Sequence, residues 1–139
     1  MTTTNDIRQL IEKWFKALEM DDIEAMFECM DDNIEWINIR PVKGINHILP
    51  WIGTFYGKEN VGKSYNVYKD VIEIINIKPI RIVIEDEQAV CMIKETGICK
   101  LTGRNYEVEF AAWFIINNNK IVWWKSFIDP SPIIAVFKE

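Results

Sequence analysis

The stretch NYEVEFAAWFIINNNKIVWWKSFID, residues 105–129, decides the architecture. Side chains alternate across a strand, so the neighbours Trp123 and Trp124 point to opposite faces, as do Trp113 and Phe114. In 105–116 one row holds Phe110, Ala112, Phe114 and Ile116; the other holds Glu107, Glu109, Ala111, Trp113 and Ile115. Asn117-Asn118-Asn119 is good hairpin-turn chemistry, and the next strand opposes Val122, Trp124, Ser126 and Ile128 to Ile121, Trp123, Lys125 and Phe127. The expectation is an antiparallel pair with large apolar groups on both faces.

Upstream, two more strands read as one meander with this pair. Val71–Glu85 is rich in Ile and Val, with Pro79 marking a bulge or edge, and Asp86-Glu87 makes a turn into Ala89–Lys100. Leu101-Thr102-Gly103-Arg104 then leads into residue 105. The three helical patterns lie within the first seventy residues. Ile7, Leu10, Ile11, Trp14, Phe15 and Leu18 form one apolar stripe, with Thr3 or Thr4 to cap it and Asp6 in the first turn. A second helix starts at Asp21, with Glu24 completing a capping-box pattern, and buries Ile23, Met26, Phe27 and Met30. Ile34–Asn38 reads as a short strand. A third helix fits Lys58 to Asp70, weakened by Gly62. Helices followed by a meander predict an α+β domain over residues 1–139, not a βαβ fold.

Residues 40–57 lose periodicity, yet this loop carries Ile45, His47, Leu49, Trp51, Phe55 and Tyr56, too many large groups for a polar linker. Three helices cover one sheet face only. The other, with Trp113, Ile115, Ile121, Trp123 and Phe127, predicts a homodimer through the sheet, unless Ile133–Phe137 folds back over it.

Composition excludes several chemistries. With 16 Lys+Arg against 21 Asp+Glu the net charge is −5, so a general nucleic-acid backbone binder is not expected. Three cysteines, Cys29, Cys91 and Cys99, without CxxC spacing argue against a disulfide framework or thiolate zinc site and for reduced thiols in a cytoplasmic protein. One histidine, His47, allows no multi-histidine metal site within the chain. The N-terminus lacks signal-peptide character, and no apolar run is long enough for a membrane span. Neither metal nor cofactor is expected.

On these elements the sequence resembles the NTF2-like, SnoaL-like superfamily of cone-shaped α+β domains, which includes ketosteroid isomerase, polyketide cyclases and limonene-epoxide hydrolase. The resemblance rests on the long first helix, Glu19-Met20-Asp21-Asp22, Asp31-Asp32-Asn33-Ile34-Glu35-Trp36, and above all Leu49-Pro50-Trp51-Ile52-Gly53-Thr54-Phe55-Tyr56-Gly57-Lys58-Glu59-Asn60-Val61. It implies three N-terminal helices packed on a curved, mainly antiparallel sheet around an apolar pocket, and commonly a dimer through the outer sheet face.

The resemblance also supplies site residues. The first-strand carboxylate of ketosteroid isomerase falls at Ile37 or Asn38, neither of which ionises, and its second aspartate falls near Ala112, so that activity is not expected. Trp36-Ile37-Asn38 is similar to the Tyr-x-Asn element of the epoxide hydrolases, with Asn38 matching. Their Arg-x-Asp element lands on Ile93-Lys94-Glu95, and their second aspartate on Ser126. The implied catalytic set is Glu95 as acid/base, with Asn38 and Ser126 orienting water or a substrate oxygen. Trp36, Trp51, Phe55, Tyr56, Phe110, Phe114 and Trp124 are the candidate pocket walls. A one-residue slip in register would present Lys94 and Thr96 instead, and the other reading of Glu95 is an exposed strand carboxylate beside Lys94 or Lys100.

Two functions fit. One is a cofactor-free cyclase, isomerase or epoxide-hydrolase-type enzyme acting on an apolar, terpenoid- or polyketide-like molecule. The other is a non-catalytic binder or accessory protein using the same cavity. A third reading, a protein adaptor, would require Trp51 and Phe55 on an exposed docking surface.

Overall fold

A computed structural model describes residues 2–138. The first helix, α1 (Thr4–Glu19), starts where the chain provides a capping box: the Asp6 amide donates to the Thr3 hydroxyl and the Thr3 amide donates to the Asp6 carboxylate. Its stripe is buried, with Trp14 fully enclosed. The second helix, α2 (Ile23–Cys29), begins one residue later than expected. Asp22 is its cap, accepting from the Ala25 amide, whereas Asp21 sits outside with φ 54°.

Strand β1 (Met30–Ile37) follows, and the loop after it contains an element absent from the sequence reading, the short edge strand β2 (Thr54–Tyr56). Helix α3 (Lys58–Val71) crosses α2 at Gly62, where an added Cβ would lie 2.7 Å from the Phe27 ring. The glycine that weakens the helix is therefore what lets the two helices touch. The meander is β3 (Ile72–Glu85), β4 (Gln88–Cys99), β5 (Asn105–Asn117) and β6 (Lys120–Phe127).

The six strands form one curved sheet in the order β2-β1-β6-β5-β4-β3. All pairs are antiparallel except β1 with β6, which run parallel. Pro79 lies in the edge strand β3, next to one of its two bulges, where a missing N–H costs no central ladder bond. The β5–β6 turn places Asn118 and Asn119 at φ 51° and 60°, the left-handed pair a tight hairpin requires.

Two expectations need correction. Strict alternation predicts Ile121 outward with Trp123, but the β5–β6 register shifts between Ile115 and Ile116, so Ile121 pairs with Ile116 and is buried. A bulge inserts one residue and resets which face each side chain takes. There is also a fourth helix, α4 (Ser131–Phe137). It does not cover the outer face: Ile133 and Val136 pack with Leu49, Trp51, Tyr106 and Val108 on the concave side. The outer face stays bare, with Val83 opposite Val90 and Val90 opposite Trp113 across the strands, and Trp113 37 % exposed.

Candidate functional site

The concave face and the helices enclose a cavity of about 110 Å³. Trp14, Leu18 and Met26 wall it from α1 and α2, Val61, Ser64, Tyr65 and Tyr68 from α3, and Ile74, Ile77, Glu95, Phe110, Trp124 and Ser126 from the sheet. Asn38, Ile39 and Trp51 close it from the loop after β1, and Ile128 and Ile133 from the C-terminal segment. The loop is held by its own amides. Asn46, buried, accepts from the Val42 amide at 2.7 Å and donates to the Arg40 carbonyl at 3.0 Å. Ser64 donates to the Trp51 carbonyl at 2.9 Å, seating that indole in the wall.

The register resolves the two alternatives for Glu95. It faces Val108 across β5 on the concave side and is only 6 % exposed. Lys94 and Thr96 take the outer face, where Lys94 pairs with Glu107 at 3.3 Å. Two tyrosines, neither singled out by the sequence, complete the group. The Tyr68 hydroxyl donates to Glu95 Oε2 at 2.9 Å, the Tyr106 hydroxyl donates to the same oxygen, and the two hydroxyls are 3.2 Å apart. Oε1 accepts no hydrogen bond from any described residue. Burial pushes the Glu95 carboxyl above its ordinary value, and the two hydroxyl donors pull against that shift. Burial and the neighbouring carboxylate drive both phenols well upward, so neither ionises near neutral pH.

Gly97 makes this geometry possible. It pairs with Tyr106 across the strands, and a Cβ there would stand 2.5 Å from the Tyr106 hydroxyl. The phenol occupies the space a side chain at residue 97 would fill and reaches Glu95 two residues away. A glycine facing an aromatic across two predicted strands was the available signal, but it shows only once the register is known.

Asn38 and Ser126 do come together in the cavity. Asn38 Oδ1 accepts from the Ile39 amide at 2.8 Å and, more loosely, from the Ser126 hydroxyl at 3.4 Å. Trp36 stacks on Trp124 with centroids 4.2 Å apart and 4° between planes, and Trp14 packs at 5.4 Å from Trp36. The indole N–H groups of Trp14 and Trp124 are buried and find no hydrogen-bond acceptor among the described residues, a cost of about 1–3 kcal/mol each.

Three proposed wall residues lie elsewhere. Tyr56 is 63 % exposed because it pairs with Glu35 on the outward side of β1, whereas Phe55 pairs with Trp36 and turns inward against the core without lining the cavity. Phe114 is fully buried behind Trp124, edge-on at 4.6 Å. The adaptor reading falls with the same observation: Trp51 is buried and Phe55 half-buried, so they form no exposed docking surface. His47 is exposed, accepts from the Gly44 amide at 2.8 Å and does not line the cavity. No cluster of three or more His, Cys, Asp or Glu among the described residues is arranged to hold a metal.

The helices and the curved sheet form one cone around the cavity, and comparison with known proteins finds the same fold. Residues 11–124 match the SnoaL-like domain, and the chain belongs to that family. An NTF2-like protein from Burkholderia xenovorans LB400 superposes with a TM-score of 0.81 at 20 % identity, covering 98 % of each chain. A protein of ketosteroid isomerase-like fold from Catenulispora acidiphila, solved in complex with trimethylamine, gives 0.75 at 13 % identity over 92 % of this chain and 91 % of that one. An LEH-like epoxide hydrolase from M. tuberculosis gives 0.73 at 12 % identity over 97 % and 92 %. At these identities the likeness is one of fold. No curated protein matches the chain. Among the described residues no helix is long and apolar enough to cross a membrane.

Proposed function

We propose that the cavity is the active site of a cofactor-free acid–base enzyme of the isomerase, cyclase or epoxide-hydrolase type, acting on a small apolar molecule. The observation that carries this reading is Glu95. It is a carboxyl buried in an apolar cavity, with one oxygen held by two phenols and the other accepting from no described residue. Desolvation brings such a group toward the range in which it takes and returns a proton near neutral pH. Oε1 removes a proton from an activated C–H or from a water, and the resulting acid returns it to the product. Tyr68 and Tyr106 hold the carboxyl in place. Asn38 and Ser126 orient the water or a ligand oxygen, and the indoles supply apolar contact. A buried apolar cavity of about 150 Å³ takes benzene, so one of about 110 Å³ bounds the ligand at a single small ring.

The test is proton NMR in D2O with two probes of that size, cyclohexanone for α-proton exchange and cyclohexene oxide for diol formation. Glu95→Gln should lower turnover of the responding probe by about 10²–10⁴-fold, the usual contribution of general acid–base catalysis, with the circular-dichroism spectrum unchanged. Turnover equal to wild type would remove Glu95 from the mechanism.

A non-catalytic binder is the second reading, and one feature favours it. Among the described residues Glu95 is the only carboxyl lining the cavity, and Asn38 Oδ1 is already engaged by the Ile39 amide. A binder would be stabilised by a ligand and release no product. The assembly that accompanies either reading is a homodimer through the bare outer face. Lys94 and Glu107 satisfy each other beside the apolar row, so a second copy would meet apolar surface in an isologous contact.

A further inference from the structure

The wall of the cavity has one sign of charge. Among the described residues Glu95 is the single charged side chain that lines it, and no lysine, arginine or histidine does. The cations nearest in sequence to the tyrosines are engaged elsewhere. Lys69, next to Tyr68, pairs with Asp21 at 3.1 Å, and Arg104, two residues before Tyr106, donates to the Ala135 carbonyl at 3.0 Å. An anionic ligand would therefore bring a second negative charge into an apolar enclosure with nothing to pair it. Aromatic side chains share the wall with aliphatic ones such as Ile77, which pairs with Glu95 across the strands. Tyr68, whose hydroxyl reaches the carboxylate, lies edge-to-face with Trp51 at 4.9 Å and 6.4 Å from Tyr65. Tyr65 already attracts one cation on the protein's own side, Lys69 Nζ at 5.3 Å from its ring.

Aromatic faces beside a carboxylate form the environment in which an ammonium group is held, by ring quadrupole and by direct charge. Oε1 stands without a protein donor. We infer that the ligand of this cavity is an apolar amine bound as its ammonium, with the charged nitrogen against Glu95 Oε1 and its carbon frame against the aromatic wall. This rests on the reading of Glu95 as the group that faces the ligand. A neutral alcohol also donates to Oε1, but it draws nothing from the ring faces or from the uncompensated charge. The overall charge of −5 adds a field of the same sense.

Isothermal titration of the full-length protein with cyclohexylammonium, cyclohexanol and cyclohexanecarboxylate separates charge from size, because the three probes share one ring. The expected result is that the ammonium binds roughly tenfold or more tighter than the alcohol, while the carboxylate gives no heat. Glu95→Gln, folded by circular dichroism, should bind the ammonium and the alcohol alike. An ammonium preference that survives Glu95→Gln overturns the inference. So does a wild type that binds the alcohol as tightly as the ammonium, which leaves the acid–base reading of Glu95 standing. A wild type that binds none of the three overturns both readings. The wild-type ranking decides by itself if Glu95→Gln does not fold.

Discussion

Glu95 ties the site to stability as well as to chemistry. Its carboxyl titrates above the ordinary 4.5 in the folded chain, so between 4.5 and that higher value the folded state binds more protons than the unfolded state. Stability from this group is thus fully present below pH 4.5 and is lost as pH rises through the folded-state value. Urea unfolding over this interval should show a decline that Glu95→Gln removes. Tyr106→Phe deletes a donor that holds the carboxyl down, so the Glu95 titration, followed by carboxyl carbon NMR, should move further up. Gly97→Ala should have the same sign by another route, since its methyl displaces the Tyr106 ring, and should destabilise by about 1–3 kcal/mol. Of this residue-scale picture, sequence reasoning reached Glu95, Asn38, Ser126, Trp36, Trp51, Phe110 and Trp124 as groups around one hollow. It missed Tyr68 and Tyr106 because hydroxyls from a helix and a strand meet at one oxygen only after the whole sheet is assembled.

Elements were legible where one segment carries its own periodicity and punctuation. The stripe of α1 and its Thr3–Asp6 cap lie within one stretch, as does the Asn118–Asn119 turn. Strand β2 and the inward turn of Ile121 were not legible. The first is three residues that become a strand only by pairing with β1; the second depends on a bulge set by the partner strand. Helix α4 shows how such distant elements are joined. Its last carbonyls, which no helix satisfies internally, are taken by the β4–β5 turn: Thr102 donates to Val136 O at 2.6 Å, and Arg104 donates to Ala135 O at 3.0 Å and Lys138 O at 2.5 Å. Because Ile133 of α4 lines the cavity, Arg104→Ala should speed amide hydrogen exchange across residues 131–137 by at least several-fold, with the β4–β5 core unchanged.

At the scale of the molecule, the two surfaces of one sheet differ in what they face. The concave side builds the cavity; the convex side carries Trp113 and Trp123 edge-to-face at 5.1 Å beside Val90, Met92 and Phe127. Sedimentation velocity at micromolar concentration should give a dimer for the wild type and a monomer for Trp123→Glu, since a buried unpaired carboxylate at an apolar contact is strongly unfavourable. A wild-type monomer would refute the assembly. The three cysteines report on the interior in the same way. All are buried, and burial pushes the Cys91 thiol up to about 12, so iodoacetamide should leave the native protein unlabelled and modify it only in denaturant.

The parallel indole pair of Trp36 and Trp124, flanked by Trp14, borders the same hollow that would receive a guest molecule. Ring systems this close couple their electronic transitions, so the protein carries a built-in optical gauge of occupancy. A guest entering beside the pair would change its near-ultraviolet dichroism and emission, and candidate compounds could be screened on the unlabelled chain.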